Sequence, residues 1–182
     1  MIGTHLGTNN HKTKNEENTM GILSPDEEVV WQQFHQGLST SVIAKVGRSK
    51  WSVAYVSRVL NRARGKIAKT LLDQAKSHRL DVESLLDYNG LLIGFDYQAN
   101  TVVYVVFTLK LGIIVWYKHA SYAGLMCHNC PKLVECHETL DTIIKEYDIK
   151  LRPDEEVLPM TQQSTAIFNK LAAKEIPRYQ RS

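Results

Sequence analysis

The chain has 182 residues, 43% of them hydrophobic and 23% charged, which suits one ordinary folded domain or two small ones and excludes a wholly disordered polypeptide. A formal net charge of +3 is too small to name a partner, so the placement of charge has to do so. All three cysteines fall in one short stretch, unlike a secreted disulfide framework, and no apolar leader opens the polar run Met1–Thr19, so a reducing cytoplasm is the expected location.

Residues 1–20 carry almost no apolar side chains and read as a disordered tail. Structure begins at Ser24-Pro25-Asp26-Glu27, where Ser24 is an N-cap, Pro25 takes the first helical position and Glu27 reaches back to close a capping box. Val30, Trp31 and Phe34 form the apolar stripe of this first helix, and Gly37 ends it. Ser39 caps a second helix burying Val42, Ile43 and Val46; Gly47 makes a tight turn, and Ser49 caps a third helix. In that helix Val53, Val56, Leu60 and Ala63 recur at helical spacing, leaving Lys50, Ala54, Tyr55, Arg58, Asn61 and Arg62 outward.

Charge is concentrated at the same place. Between Lys45 and Arg79 the cations are Lys45, Arg48, Lys50, Arg58, Arg62, Arg64, Lys66, Lys69, Lys76 and Arg79, and Asp73 is the only acid. A basic face on a helix following a tight turn suits the major groove of DNA, with phosphates anchored by Lys45, Arg48, Arg62, Arg64 and Lys66 and bases read by Lys50, Tyr55 and Arg58. The alternative is a solvated basic face on a core helix.

This segment resembles the tri-helical domains of sigma-factor region four, LuxR-type regulators and Tfx-like archaeal regulators. The residues carrying the likeness are Leu23-Ser24-Pro25-Asp26-Glu27, Gly37-Leu38-Ser39, Ile43-Ala44 and Ser52-Val53. The resemblance implies a helix-turn-helix in which the helix from Lys50 to Arg62 enters the groove, with Ser39 and Ser52 near the DNA backbone. Gly65 is expected to relax the helix before another at Ile67–Arg79, and Asp81 to cap a short helix through Leu86; these connect to the next domain or pair two copies of the chain.

From Leu91 the period changes to that of strands: Leu91–Tyr97, Thr101–Thr108 and Leu111–Lys118 read as a three-stranded meander. The run Thr101–Tyr117 is the only membrane suspect, but it is shorter than the ~20 residues a spanning helix needs and has Lys110 near its middle, so no membrane partner is expected. The second strand is apolar on both faces, as a central strand covered on both sides, or one with a face used in a dimer, would be. Glu135–Tyr147 is a candidate covering helix; Pro153 and Pro159 bracket an acidic linker; a last helix, Thr161–Glu175, buries Ile167, Phe168 and Leu171.

The remaining chemistry lies in Met126-Cys127-His128-Asn129-Cys130-Pro131-Lys132-Leu133-Val134-Glu135-Cys136-His137. Its C-x2-C-x5-C spacing supplies three thiolates, and His137, His119 or His128 would complete a tetrahedral zinc site, His137 being the choice next to Cys136. The same residues resemble the last three ligands of the iron–sulfur loop in helix-hairpin-helix DNA glycosylases, which implies a cluster as the alternative cofactor; metal-free thiols are the third reading. No G-x-G-x-x-G, Walker loop or G-x-S-x-G is present, and His137-Glu138-Thr139-Leu140-Asp141 lacks the second histidine of a zinc-protease motif, so an enzyme is not expected.

The expectation is therefore an α+β protein with an N-terminal tri-helical helix-turn-helix domain and a small antiparallel three-stranded sheet carrying helices and the cysteine cluster. Its parts are the tail at 1–20, a DNA-binding domain at 21–66, connecting helices at 67–86, the α+β domain at 87–150, and a linker with a C-terminal helix at 151–182. The expected function is sequence-specific transcription regulation on double-stranded DNA, as a homodimer, with a metal-binding or redox-sensing second domain. The alternative is a protein-interaction module of the transcription apparatus with a structural zinc site.

Overall fold

The computed structural model describes residues 21–47, 51–119 and 126–175. The N-terminal tail and the cap assigned to Ser49 lie outside the described residues. Helix α1 (Pro25–His35) starts as its capping box dictates, with the Ser24 N–H donating to Glu27 Oε2 at 2.8 Å. It ends at Gly37, whose φ of +86° lets the next two amides turn back: Gly37 N–H donates to Phe34 C=O at 3.0 Å and Leu38 N–H to Gln33 C=O at 3.2 Å. Helix α2 (Thr40–Val46) is capped by Ser39, but it buries Ile43 and Ala44, whereas Val42 and Val46, expected inside, are 40% and 58% exposed. A two-turn helix can turn only one side to α1 and α3, and the Ile43–Ala44 side wins.

Helix α3 (Val53–Ser77) begins behind Ser52, three residues later than the expected Ser49 cap, because the Ser52 Oγ is the side-chain oxygen that accepts the Tyr55 N–H, at 3.1 Å. It then runs through Gly65 as one helix, correcting the expected break. The stripe Val56, Leu60, Ala63, Ile67, Leu71 and Ala75 is buried without interruption. Burying Ile67 and Leu71 on this helix outweighs the ~1 kcal/mol that glycine costs mid-helix. The helix stops where Arg79 adopts a left-handed φ of 56°, with Leu80 N–H donating to Ala75 C=O.

The segment expected as connecting helices therefore divides. Residues 67–77 complete α3, and strand β1 (Asp81–Leu86) replaces the short helix. Strands β2 (Leu91–Asp96), β3 (Thr101–Thr108) and β4 (Gly112–Tyr117) follow as expected, giving a four-stranded antiparallel meander in the order β1-β2-β3-β4 rather than three strands. Pairing decides β1: Leu86, Leu85 and Ser84 lie opposite Leu91, Leu92 and Ile93, and a bulge follows between Ser84 and Val82. Gly94 admits that close approach, since a Cβ there would stand 2.9 Å from the Asp81 carbonyl oxygen.

Strand β3 is buried from Val103 to Thr108, on both faces. On one face Phe107 meets Trp31 of α1, ring centroids 6.0 Å apart; on the other Tyr104 stacks on Phe168 at 4.3 Å. Phe168 belongs to α6 (Met160–Ala173), which packs on α4 (Leu133–Glu146). The expected acidic linker contains a helical turn, α5 (Pro153–Glu156), where Glu155 accepts the Arg152 N–H at 2.8 Å and pairs with Lys170 of α6 at 2.9 Å. Glu146 closes the β3–β4 turn by accepting the N–H groups of Leu109 and Lys110 at 2.6 and 2.9 Å.

Both helical layers and the sheet share one hydrophobic cluster. They meet at a buried joint. The Tyr147 hydroxyl donates to the Phe107 carbonyl at 2.5 Å and passes over Gly90, where a Cβ would lie 2.3 Å from it and 3.1 Å from Trp31. Lys174 donates to the carbonyls of both His35 and Tyr147, placing one cation at the C-terminal ends of α1 and α4. His35 is sealed between Trp31, Phe34 and Tyr147, and its Nε2 has no hydrogen-bond partner.

Burial, with the Lys174 charge behind it, lowers the His35 pKa from 6.5 to about 3. The unfolded chain therefore takes up a proton that the folded chain refuses. His35 contributes stability that is complete above pH 6.5 and is lost as pH falls from 6.5 towards 3. In urea titrations between pH 6.5 and 5, wild type should lose stability relative to a His35→Leu variant, the difference approaching about 1.4 kcal/mol per pH unit. Equal slopes would mean that His35 titrates normally. Gly65→Ala should raise stability by roughly 0.5–1 kcal/mol, because the position is helical with no atom near an added Cβ, while Gly90→Ala should lower it sharply.

Candidate functional site

Among the described residues, the basic region divides into cations without an ion pair and cations paired with carboxylates of the same chain. Lys45 on α2 and Arg58 on α3 are exposed, with no ion pair among the described residues. Ser52, Ala54, Asn61 and Arg62 are exposed beside them on α3. Arg48 and Lys50, which the sequence assigns to the same surface, lie outside the described residues. Trp51 folds back over the turn, its ring so close to Gly47 that a Cβ there would meet it at 2.7 Å.

The other expected DNA contacts have partners at home. The Tyr55 hydroxyl donates to Asp26 Oδ2 at 2.6 Å, tying the start of α3 to the start of α1; that bond, with burial and the Asp26 charge, raises the phenol's pKa. Lys66 donates to Glu27 Oε2 at 2.7 Å, and Arg62 Nε stands 3.7 Å from Glu27 Oε1. Burial alone would raise the Glu27 carboxyl, but Lys66 and the Ser24 N–H more than offset it and hold it below the usual carboxylate range. Arg64 pairs with Asp87 at 2.5 Å and lies 3.2 Å over the Tyr88 ring, so it joins α3 to the β1–β2 connection. Of the residues expected to contact DNA, Tyr55, Arg64 and Lys66 are thus structural ties in the free protein, and Arg62 is shared.

The cysteines occupy a second place. Cys127 lies in a 3₁₀ turn, Cys127–Asn129, whose end is closed by the Cys130 N–H donating to the Cys127 carbonyl at 3.0 Å. Cys136 sits in the first turn of α4. All three, half-buried and unbridged, line one cavity of about 20 Å³ together with His119, Trp116 and Met160, room for about one water-sized occupant. His137 does not line it. Successive residues of a helix project about 100° apart, and His137 faces the adjoining groove with His128, Met126 and Pro159.

Burial first, then the neighbouring Cys130, Glu135 and Cys127, pushes the Cys136 thiol up, with Lys132 acting against them. Among the described residues no group of three or more His, Cys, Asp or Glu side chains stands ready to hold a metal ion. The histidine at this cavity is not the one the sequence favours. What the sequence does not show is that β4, through Trp116 and His119, forms its wall.

No described helix is long and apolar enough to cross a membrane. Compared with protein-family models, curated proteins and solved structures, the chain matches none.

The internal ties lead to a clear expectation. Tyr55→Phe should lower stability by roughly 0.5–1.5 kcal/mol, the worth of one hydrogen bond. Arg64→Ala should cost at least as much through its ion pair and its stacking on Tyr88. At about 2–4 °C per kcal/mol for a chain of this size, differential scanning calorimetry resolves both. Unchanged melting in both variants would show these side chains to be free.

Proposed function

We propose that the chain is a sequence-specific DNA-binding regulator of transcription, with the N-terminal half of α3 as its reading element. The observation that carries this reading is the outward face of α2 and α3. Two capped helices follow one another in the chain, and Lys45, Arg58, Asn61 and Arg62 are exposed on them, while the nearby acids Asp26 and Glu27 are engaged by Tyr55 and Lys66. Lys66 and Arg62 offset the Glu27 charge within the protein, which favours phosphates at this surface, and Arg58 with Asn61 offers donors for base edges.

In this reading Lys45 and Arg48 anchor phosphates, Lys50 reads bases with Arg58, and Arg62 joins the anchors by leaving Glu27. Tyr55 keeps its bond to Asp26 and holds α3 at its angle to α1. Two copies of the chain would present two such helices to a palindromic site, as dimeric helix-turn-helix proteins do. The cysteine cavity is a second functional element, for a metal ion or for thiol redox chemistry.

A second reading rests on a different observation. Val42 and Val46, one turn apart on α2, form an exposed apolar pair. Such a pair suits a protein partner of the transcription apparatus better than a phosphate backbone.

The two readings separate in one experiment. Fluorescence-polarisation titrations of double-stranded DNA should show affinity falling about a hundredfold between ~50 and ~200 mM salt if roughly four phosphates are contacted. Lys45→Ala should weaken binding to all sequences alike and reduce the salt slope by about 1, whereas Arg58→Ala should relax sequence preference. Lys66→Ala should act mainly on folding stability. Salt-insensitive or undetectable DNA binding, with wild-type folding, would favour the protein-contact reading.

A further inference from the structure

We infer that the cysteine cavity is a Cys3His zinc site whose fourth ligand is His119, and that the ion fastens the end of β4 to the start of α4. The inference takes the cavity as a metal site and does not depend on DNA binding. Four donors of the right chemistry reach one small cavity from three separate pieces of chain. His119 stands two residues beyond β4, Cys127 and Cys130 come from the knuckle turn, and Cys136 comes from the first turn of α4. Thiolate and imidazole in this ratio select zinc in a closed tetrahedral site.

An independent observation singles out His119 among the nearby histidines. Its Nδ1 is 2.8 Å from the Tyr117 carbonyl oxygen. A carbonyl only accepts, so Nδ1 must carry the proton and donate. The neutral ring then has its lone pair on Nε2, the tautomer required of a zinc ligand. A backbone carbonyl on the far nitrogen is the usual device for fixing such a ring. His137 instead faces the neighbouring groove.

The surroundings suit a buried ion. Trp116, Leu133 and Met160 supply apolar walls that restrict water, and Trp116 lies opposite Tyr104 in the sheet, so the cavity adjoins the Tyr104–Phe168 stack. The three thiols and His119 line the same cavity but do not stand at ligating positions. Metal binding therefore requires side-chain rotation about the knuckle turn, which its own backbone hydrogen bond already closes. On binding, three thiols release three protons to solvent and three Zn–S bonds form with one Zn–N bond, turning Zn²⁺ into a complex of net charge −1. Binding is therefore weakened by acid.

The test uses the full chain, stripped with a chelator under reducing conditions and titrated with Zn²⁺ against a chromophoric competitor, and separately with Co²⁺. The expected result is one ion per chain, thiolate-to-cobalt charge transfer with the visible bands of a tetrahedral site, and a higher melting temperature when loaded. His119→Ala should lose at least tenfold in affinity and change the cobalt bands. His119→Cys should retain a tight four-ligand site, which guards against a folding artefact in the alanine variant. His137→Ala should bind as wild type does. Failure to bind one ion, loss of affinity in His137→Ala but not in His119→Ala, or an iron–sulfur absorbance in anaerobically purified protein would each overturn the inference.

Discussion

The architecture depends on a close approach at Gly90. Tyr147 reaches from the end of α4 to the Phe107 carbonyl of β3, and Trp31 reaches from α1 to the same spot; only a residue without a Cβ leaves space for both. Because this contact joins α1, β3 and α4, the N-terminal helices cannot be placed independently of the C-terminal ones. His35 is dry and neutral because it sits inside this joint, and Lys174 closes it by satisfying carbonyls at two helix ends. The tri-helical unit is thus built into the same core as the sheet, with α3 serving both: its first half packs on α1 and α2, and its second half lies against the sheet.

That shared helix explains how the basic residues are divided. Cations near the core side of α3 meet carboxylates supplied by other elements, as Lys66 meets Glu27 and Arg64 meets Asp87. These partly screened pairs orient elements more than they stabilise them, since ion pairs reaching solvent contribute little individually. Glu27 is the exception in position: it is buried, and it joins the capping of α1 to α3 in one side chain. On the exposed side of the same helices Lys45 and Arg58 have no ion pair among the described residues, whereas Arg62 and Lys69 each reach a carboxylate.

The cysteine cavity follows the same logic at the other face of the sheet. Its wall is β4, its floor is the start of α6, and its thiols come from the turn and helix between them. An ion there would link the last strand to the helical layer covering it. A sheet edge is held poorly by side-chain packing alone, and a metal bond is a compact substitute.

Some of this was legible in the residues alone because the forces concerned are local. The capping box at Ser24–Glu27, the cap Ser39, the glycine ending α1 and the strands β2 to β4 are set by neighbours within a few positions, whereas the cap of α3, expected at Ser49, falls at Ser52. That both faces of β3 must be covered was visible because the strand is apolar on both, but the structure decided that α1 and α6 of the same chain do it rather than a second copy. What lay beyond reading involved partners far apart in sequence. Asp81–Leu86 is a strand because Leu91–Phe95 lies beside it, and α3 passes Gly65 because the sheet buries Ile67 and Leu71. Arg79 and Asp148 take left-handed helix-end positions that no glycine announces. Whether a lysine faces solvent or Glu27, and whether His119 or His137 meets the thiols, is decided only when distant segments come together, because charge and ligand geometry depend on distance in space.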